Sequence, residues 1–253
     1  MLVRSPTLGV VEKLLLAWYS RSGRDLPWRR TSDPYAILVS EIMLQQTQVD
    51  RVIPRFRAWL VRWPTVRDLA GAAPADVIRE WQGLGYNRRA VSLHRAAQAI
   101  AENGWPEDLS TLPGIGPYTA AAVRNFGFGE NVLPHDVNVD RVERRTAHSF
   151  TGTAAQALMD LGATICLARV PRCDTCPLVA ECPSRGTRDE PLRKQSVFEG
   201  SFRQKRAETL RAVAAAPTNG GALDAAAVAS LARDGLVTVD LDGTVRLPEF
   251  TPT

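Results

Sequence analysis

The stretch Leu112 to Val139, LPGIGPYTAAAVRNFGFGENVLPHDVNV, decides how the rest of the chain is read. Gly114 and Gly116 precede Pro117 and an Ala-rich run, Ala120 to Val123. Proline fixes φ near the helical value and lacks the N–H that a first helical residue would leave unpaired, so it marks a helix start. The terminus so formed collects unpaired N–H donors and the positive end of the helix dipole, which suits a phosphate. Further on, after Leu133-Pro134, stands a single carboxylate, Asp136. A phosphate-sized docking turn followed by a lone acid is the pattern the chain has to explain.

A chain of 253 residues can bury a real core and hold two domains, or one with an appendage. Its net charge is +4, and the cations are nearly all Arg, whose planar fork suits phosphate. GC-rich coding produces the same bias, so basicity permits a nucleic-acid partner without establishing one. No apolar run approaches the ~20 residues of a membrane span. The start, MLVRSPTLGVVEKLLLAW, carries charges within a helical apolar period and no small-residue cleavage site. A cytoplasmic protein without a membrane partner is expected.

All four cysteines fall in one short segment, as Cys166-x6-Cys173-x2-Cys176-x5-Cys182. A secreted disulfide scaffold would spread them over the fold, so a metal or cluster site is the better reading. Four thiolates that can converge on one point suit an iron–sulfur cluster. Zinc is the alternative, although structural zinc sites usually show two Cys-x2-Cys-like pairs.

Helical periodicity dominates up to about residue 165, with helices expected at 10–19, 34–49, 52–62, 68–72, 75–82, 88–103, 106–112 and 137–145. Asp33-Pro34 reads as a cap followed by proline at the first helical position. The helix it starts, PYAILVSEIMLQQTQV, is apolar nearly all round and therefore expected to be buried. Glu41 sits in its middle, and a buried charge is costly unless it is paired or protonated. Residues 188–200 read as a polar linker. Beyond them, helices at 202–216 and 224–234 and a hairpin around Asp242-Gly243 suggest a small winged-helix-like module, which could bind DNA or serve as a packing appendage.

Five segments carry a family resemblance: LPWR at 26–29, DPYAILVSEIMLQQTQV at 33–49, GLGY at 83–86, LPGIGPYTAAAV at 112–123 and QALMDLGATIC at 156–166, completed by the cysteine run. The chain resembles the helix-hairpin-helix DNA glycosylases with an iron–sulfur cluster, the endonuclease III superfamily, and within it the adenine glycosylases of the MutY type. The likeness covers roughly residues 10 to 185. It implies an all-α, two-lobed fold with a DNA cleft between the lobes: a six-helix barrel at 26–128, and a cluster domain from 1–25 and 129–187. The linker and an α+β module at 201–253 would follow. The implied partner is double-stranded DNA with a mismatched or damaged base pair, bound by a monomer at the nucleoid. Such enzymes flip the target nucleotide out of the duplex, because the reacting bond is unreachable inside the stack.

Cleaving an N-glycosidic bond calls for a protonated leaving base and a negative charge near the positive sugar, the two-carboxylate logic of glycoside hydrolysis. The resemblance places Glu41 on the general acid that protonates the adenine ring. It places Asp136 on the aspartate that stabilises or attacks the oxocarbenium-like sugar; helix capping alone would also account for an Asp there. Asn138 falls on the family's DNA-site asparagine, and Arg29, Gln45 and Gln46 on the base pocket or specificity region, where a glutamine enters the stack near the opposite base. Tyr118 occupies the position where bifunctional relatives carry a Schiff-base lysine, which implies a monofunctional enzyme. Mismatch thymine glycosylases share that feature. Thr47, Leu112, Gly114, Gly116, Arg88 and Arg89 are expected on the DNA, with a monovalent cation on the hairpin carbonyls. Cys166, Cys173, Cys176 and Cys182 would ligate a [4Fe–4S] cluster that stiffens a basic loop bearing Arg169 and Arg172.

Three departures stand out. Only ten residues separate Arg145 from Gln156, where MutY-type chains carry a longer segment. His135-Asp136-Val137-Asn138 replaces the usual aliphatic-Asp-Gly-Asn, and the imidazole could pair with the acid, contact DNA or be satisfied elsewhere. The C-terminus is too short for the Nudix-like domain that reads 8-oxoguanine in many MutY enzymes. The expected activity is hydrolytic release of adenine mispaired with 8-oxoguanine or guanine, in base excision repair. Release of thymine or uracil from mismatches on the same fold is the alternative, and a non-catalytic iron–sulfur DNA-binding protein is the alternative of another class.

Overall fold

The computed structural model describes residues 9–190 and 197–249. The first residues of the N-terminal segment (1–8), part of the expected linker (191–196) and the end of the expected module (250–253) lie outside the described residues. In chain order the helices are α1 (Val10–Ser22), α2 (Pro34–Leu44), α3 (Val49–Arg62), α4 (Val66–Ala70), α5 (Pro74–Glu80), α6 (Arg88–Asn103), α7 (Pro117–Phe126), α8 (Val137–Thr146), α9 (Ala155–Thr164), α10 (Phe202–Ala215) and α11 (Ala225–Arg233). Short strands β1 (Thr218–Asn219), β2 (Thr238–Val239) and β3 (Thr244–Arg246) follow among them. By compactness the chain divides into two units, Met1–Ile37 with Pro117–Lys194 and Leu38–Gly116 with Gln195–Thr253.

In the first unit, Val11 and Leu15 of α1 pack with Val139 and Val142 of α8 and with Leu158 and Leu161 of α9. Leu15, Val139, Val142 and Leu158 are wholly buried, and each such aliphatic side chain contributes about 1.5–3 kcal/mol by leaving water. A buried carboxylate locks the same region. Asp160 accepts from Arg29 Nη1 and Nη2 at 2.7 Å each, from Arg24 Nε at 2.7 Å and from the Arg24 backbone N–H at 2.8 Å. Tyr19 lies under the Arg29 guanidinium and donates its hydroxyl to Gln156 Oε1 at 2.8 Å. The short segment between α8 and α9 contains one 3-10 turn, Gly152–Ala154, so the two helices follow each other closely and pack together. Ala147 closes α8 in a left-handed conformation, φ 55°.

In the second unit, Trp59 and Trp81 are fully buried and meet edge to face at 5.4 Å, and Leu38, Ile42, Leu69 and Leu93 are buried in the same unit. The helix expected at 106–112 is instead a single 3-10 turn, Leu109–Thr111. Asp108 explains the difference, because its carboxylate accepts from the Ser110 N–H at 2.9 Å and from the Ser110 hydroxyl, local bonds that compete with helix formation. α4 starts at Val66, two residues before the expected Asp68, because Thr65 and Asp68 cap each other reciprocally.

The C-terminal residues form the expected helix-helix-hairpin arrangement plus one strand the sequence reading missed. β1, β3 and β2 lie side by side in an antiparallel sheet. Leu210 and Val213 of α10, Leu231 of α11 and Val245 of β3 share one core with Ile78 of α5. Arg79 Nε also donates to the Ala214 carbonyl at 3.3 Å. At least one face of the module is therefore committed to packing on α5.

Candidate active site and cysteine cage

The glycine-containing turn directly precedes α7, which starts at Pro117 as expected. Gly114 has φ +78°, and a Cβ built there would lie 2.6 Å from Ser92 Cβ, so glycine is required on both counts. Leu112 and Ile115 are buried anchors, whereas Gly114, Gly116 and Pro117 are exposed. Tyr118 is half-buried in the first turn of α7.

Asp136 is the N-cap of α8. Its Oδ1 accepts from the backbone N–H groups of Asn138 at 2.8 Å and Val139 at 2.7 Å, and its Oδ2 accepts from Asn138 Nδ2 at 2.8 Å. A negative charge there meets three donors and the positive end of a helix dipole. Asn138 is held in turn by Arg141, whose Nη2 donates to Asn138 Oδ1 and to the Gly162 carbonyl, 2.7 Å each, while its Nε donates to the Cys166 carbonyl at 2.7 Å. A chain of hydrogen bonds thus runs from the first cysteine of the run to the carboxylate. Gly162 makes it compact, since a Cβ there would fall 2.6 Å from Asn138 Cβ. His135 does not appear among the partners of Asp136. Its Nδ1 lies 3.0 Å from Asp140 Oδ1 and 3.6 Å from Glu143 Oε2.

The four cysteines line one cavity with Val142, Arg145 and Leu161. Arg145 is 2% exposed, and its Nη1 donates to Cys166 Sγ at 3.4 Å. The Gly186 N–H donates to Cys173 Sγ at 3.3 Å. Burial, with the neighbouring cysteines adding to it, pushes the Cys176 thiol up to about 11. Four cysteines on one cavity, with N–H donors on two of their sulfurs, one from the buried Arg145 guanidinium and one from the Gly186 backbone, fit thiolates that ligate a metal cluster. The Nε of Arg145 is buried beside this cage with no hydrogen-bond partner.

Glu41 is 6% exposed in the middle of α2, where Ile37, Leu38, Ile42 and Met43 are equally enclosed. Asp33 caps this helix as expected, accepting from the Tyr35 N–H at 3.0 Å. Gln45 and Thr47 are partly buried just beyond it, and Gln46 is exposed at φ 57°. Arg88 is exposed. Arg89 and Arg29, both assigned outward roles from sequence, have their guanidiniums engaged inside the protein, Arg29 on Asp160 and Arg89 on backbone carbonyls. Burial would raise the Asp160 carboxyl, but hydrogen bonds from Arg29 and Arg24 outweigh it and hold it below the ordinary value. Sequence reasoning missed Arg141, Arg145 and Asp160. Arg141 and Arg145 had a usable signal: with Val142 they fall on one face of α8, so two charges share a helix side with a buried residue.

Residues 39–160 match the family model described as "HhH-GPD superfamily base excision DNA repair protein". The chain is 41% identical to the adenine DNA glycosylase of Mycobacterium tuberculosis (strain H37Rv), over 92% of each chain, and 40% identical to that of Mycolicibacterium smegmatis, over 92% of this chain and 94% of the relative. The first alignment spans 281 positions against a chain of 253, so that relative carries internal segments that this chain lacks. The human adenine DNA glycosylase is 37% identical over 68% of this chain and 38% of its own length. Among solved structures, a thermostable thymine-DNA glycosylase superposes with a TM-score of 0.62 at 27% identity, covering 69% of this chain and 94% of that one. Endonuclease III trapped covalently on DNA gives 0.57 at 18% identity over 69% and 93%, a likeness of fold. The chain therefore belongs to the adenine DNA glycosylases of the helix-hairpin-helix base excision repair superfamily.

Proposed function

We propose that this protein is a monofunctional DNA glycosylase that hydrolyses the N-glycosidic bond of adenine mispaired with 8-oxoguanine or guanine. The observation that carries this reading is the likeness to curated adenine DNA glycosylases along 92% of the chain. The carboxylate on the cap of α8 supplies the chemistry. Asp136, fixed through both oxygens, counters the positive charge that develops on the sugar as the bond breaks. Glu41, enclosed in α2, delivers the proton to the departing base and so avoids expulsion of an anion. Tyr118 offers no amine, so no imine forms with the sugar and the strand is left uncut. The turn Leu112–Gly116 takes a DNA phosphate on its backbone N–H groups, with a monovalent cation on its carbonyls, and the exposed Arg88 adds a backbone contact. Gln45 and Gln46 meet the opposite base, and Asn138 orients Asp136.

Cys166, Cys173, Cys176 and Cys182 hold a [4Fe–4S] cluster whose contribution is structural. The Arg141 bridge then carries the position of the cysteine loop to Asn138 and Asp136. The 26–128 segment serves as the hairpin-bearing domain and 1–25 with 129–187 as the cluster domain, in a monomer acting on cytoplasmic, nucleoid DNA. Among the described residues no helix is long and apolar enough to cross a membrane.

A second reading, release of thymine or uracil from mismatches, is favoured by the likeness to the thymine-DNA glycosylase at 27% identity. Single-turnover assays on A:8-oxoguanine, A:G, T:G and U:G duplexes decide between them. Adenine release is expected. Strong thymine or uracil release without adenine release would establish the second reading, and no release from any duplex by cluster-loaded protein would leave a DNA-binding protein without this chemistry.

A further inference from the structure

Arg89 is turned inward and built into a cage. Its Nη1 donates to the carbonyls of Ile42 at 2.6 Å, Met43 at 3.0 Å and Gln45 at 2.6 Å. Its Nη2 donates to Thr47 Oγ1 at 3.0 Å, to the Gly85 carbonyl at 2.9 Å and to the Leu84 carbonyl at 3.3 Å. The guanidinium lies 5.3 Å from the Trp81 ring centre and 5.7 Å from that of Tyr86. Thr47 closes the cage by donating its hydroxyl to the Leu84 carbonyl at 3.2 Å. Burial lowers this arginine to about 10, which leaves it charged at neutral pH.

Two separate segments meet at this one side chain. The first is the end of α2, whose last carbonyls have no helical partner and form the negative end of the helix dipole. The second is the loop Gly83–Tyr86, in which Gly83, Gly85 and Tyr86 all have positive φ. Gln46 and Tyr86 are non-glycine residues in the left-handed region, φ 57° and 46°, a strained backbone that their surroundings must hold in place. Both are exposed, Tyr86 to 50%. A planar fork with donors in fixed directions can satisfy carbonyls from both segments at once. A lysine ammonium, with three donors on a flexible stem, cannot.

We propose that Arg89 is a positioning residue that ties the end of α2 to the 83–86 loop, so that Gln46 and Tyr86 meet DNA as one rigid element. The proposal rests on the DNA glycosylase reading above, and it removes Arg89 from the residues expected on the phosphate backbone.

The test compares full-length, cluster-loaded wild type with Arg89→Met, Arg89→Lys and Thr47→Val. Affinity for an A:8-oxoguanine duplex is measured over a salt series, and adenine release is measured in single turnover at saturating protein. Arg89→Met is expected to keep the wild-type salt slope while the saturated rate falls by up to about 10²-fold, the cost of a misplacement of about 1 Å. Arg89→Lys should fail to restore that rate, and Thr47→Val should show a smaller loss. Amide exchange of Thr47 and Leu84 in the free protein should accelerate together in all three variants. A slope reduced by about one with the saturated rate unchanged would make Arg89 a phosphate contact and overturn the proposal. So would full rescue by lysine, or exchange at the two amides that stays uncoupled. If Arg89→Met does not fold, Arg89→Lys, Thr47→Val and the exchange data still decide. A wild type that releases no adenine would sink the functional reading, and the exchange result would still stand for or against the tie.

Discussion

The cap of α8 and the paired loops around Arg89 solve the same problem by different means. At the cap, Asp136 is fixed by donors two and three residues away, and Arg141 comes from the next turn of the same helix. At the loops, the acceptors held by Arg89 lie up to 47 residues earlier in the chain. The first arrangement follows from local helix geometry, and the second exists only after the chain has folded. Asp136, the proposed reactive carboxylate, is thus carried on a helix terminus, whereas the exposed tip that keeps an unfavourable backbone is held by a long-range tie.

Asp136→Asn gives the largest expected effect and tests whether the cap is more than a cap. Asparagine is as good an N-cap as aspartate, so α8 should keep its stability. The charge opposite the sugar is lost, and adenine release should fall by about 10³-fold or more in single turnover. A variant that keeps its rate would reduce Asp136 to its structural role. Glu41→Gln should cost at least the ~10²-fold of a missing general acid, measured the same way.

The difference between the two regions also explains what could be read from the sequence. The cap was legible because Asp136 and Asn138 sit within one turn, and the cysteine run because its spacing is local. Asp33-Pro34 announced α2, and Gly114 announced the turn at the position where a Cβ would strike Ser92. Arg89 and Arg29 were assigned to outward contacts because an arginine in sequence looks the same whether its partner is a phosphate or a buried carbonyl. The partners they have in the structure, Ile42 to Gln45 for Arg89 and Asp160 for Arg29, are distant in the chain. The helix expected at 106–112 failed for the opposite reason: a local bond from Asp108 overrode an acceptable helical pattern.

Asp160 places a long-range tie in the first unit and gives the next effect in size. Removing the carboxylate with Asp160→Asn leaves Arg29, 10% exposed, without its countercharge, and should destabilise the protein by roughly 3 kcal/mol in denaturant melts. The pH dependence has a definite sign. The carboxyl is held below its ordinary value when folded, so its contribution is present above the unfolded value and is lost as pH falls through the folded one. Wild type should therefore lose stability on acidification below about pH 4, and the variant should show a flatter acid limb. Equal acid limbs would show that this cluster is not what holds α9 to the Arg24–Arg29 segment.

The smallest effect belongs to Gly114→Ala, where local and long-range constraints coincide. An alanine at φ +78° costs about 1 kcal/mol in backbone strain. Its methyl would also sit 2.6 Å from Ser92 Cβ in α6, so the turn must shift away from the helix that carries Arg89. Stability should drop by about 1–2 kcal/mol, while duplex affinity at low salt drops further than that strain explains, because the displaced N–H groups no longer converge on a phosphate. A double variant, Gly114→Ala with Ser92→Gly, separates the two causes. Removing the Ser92 side chain opens the space but leaves the positive φ, so it should restore affinity and leave most of the strain in the melting curve. If affinity stays low in the double variant, the backbone conformation at Gly114 sets the phosphate site by itself, and the turn belongs with the cap of α8 among the locally determined parts of the molecule.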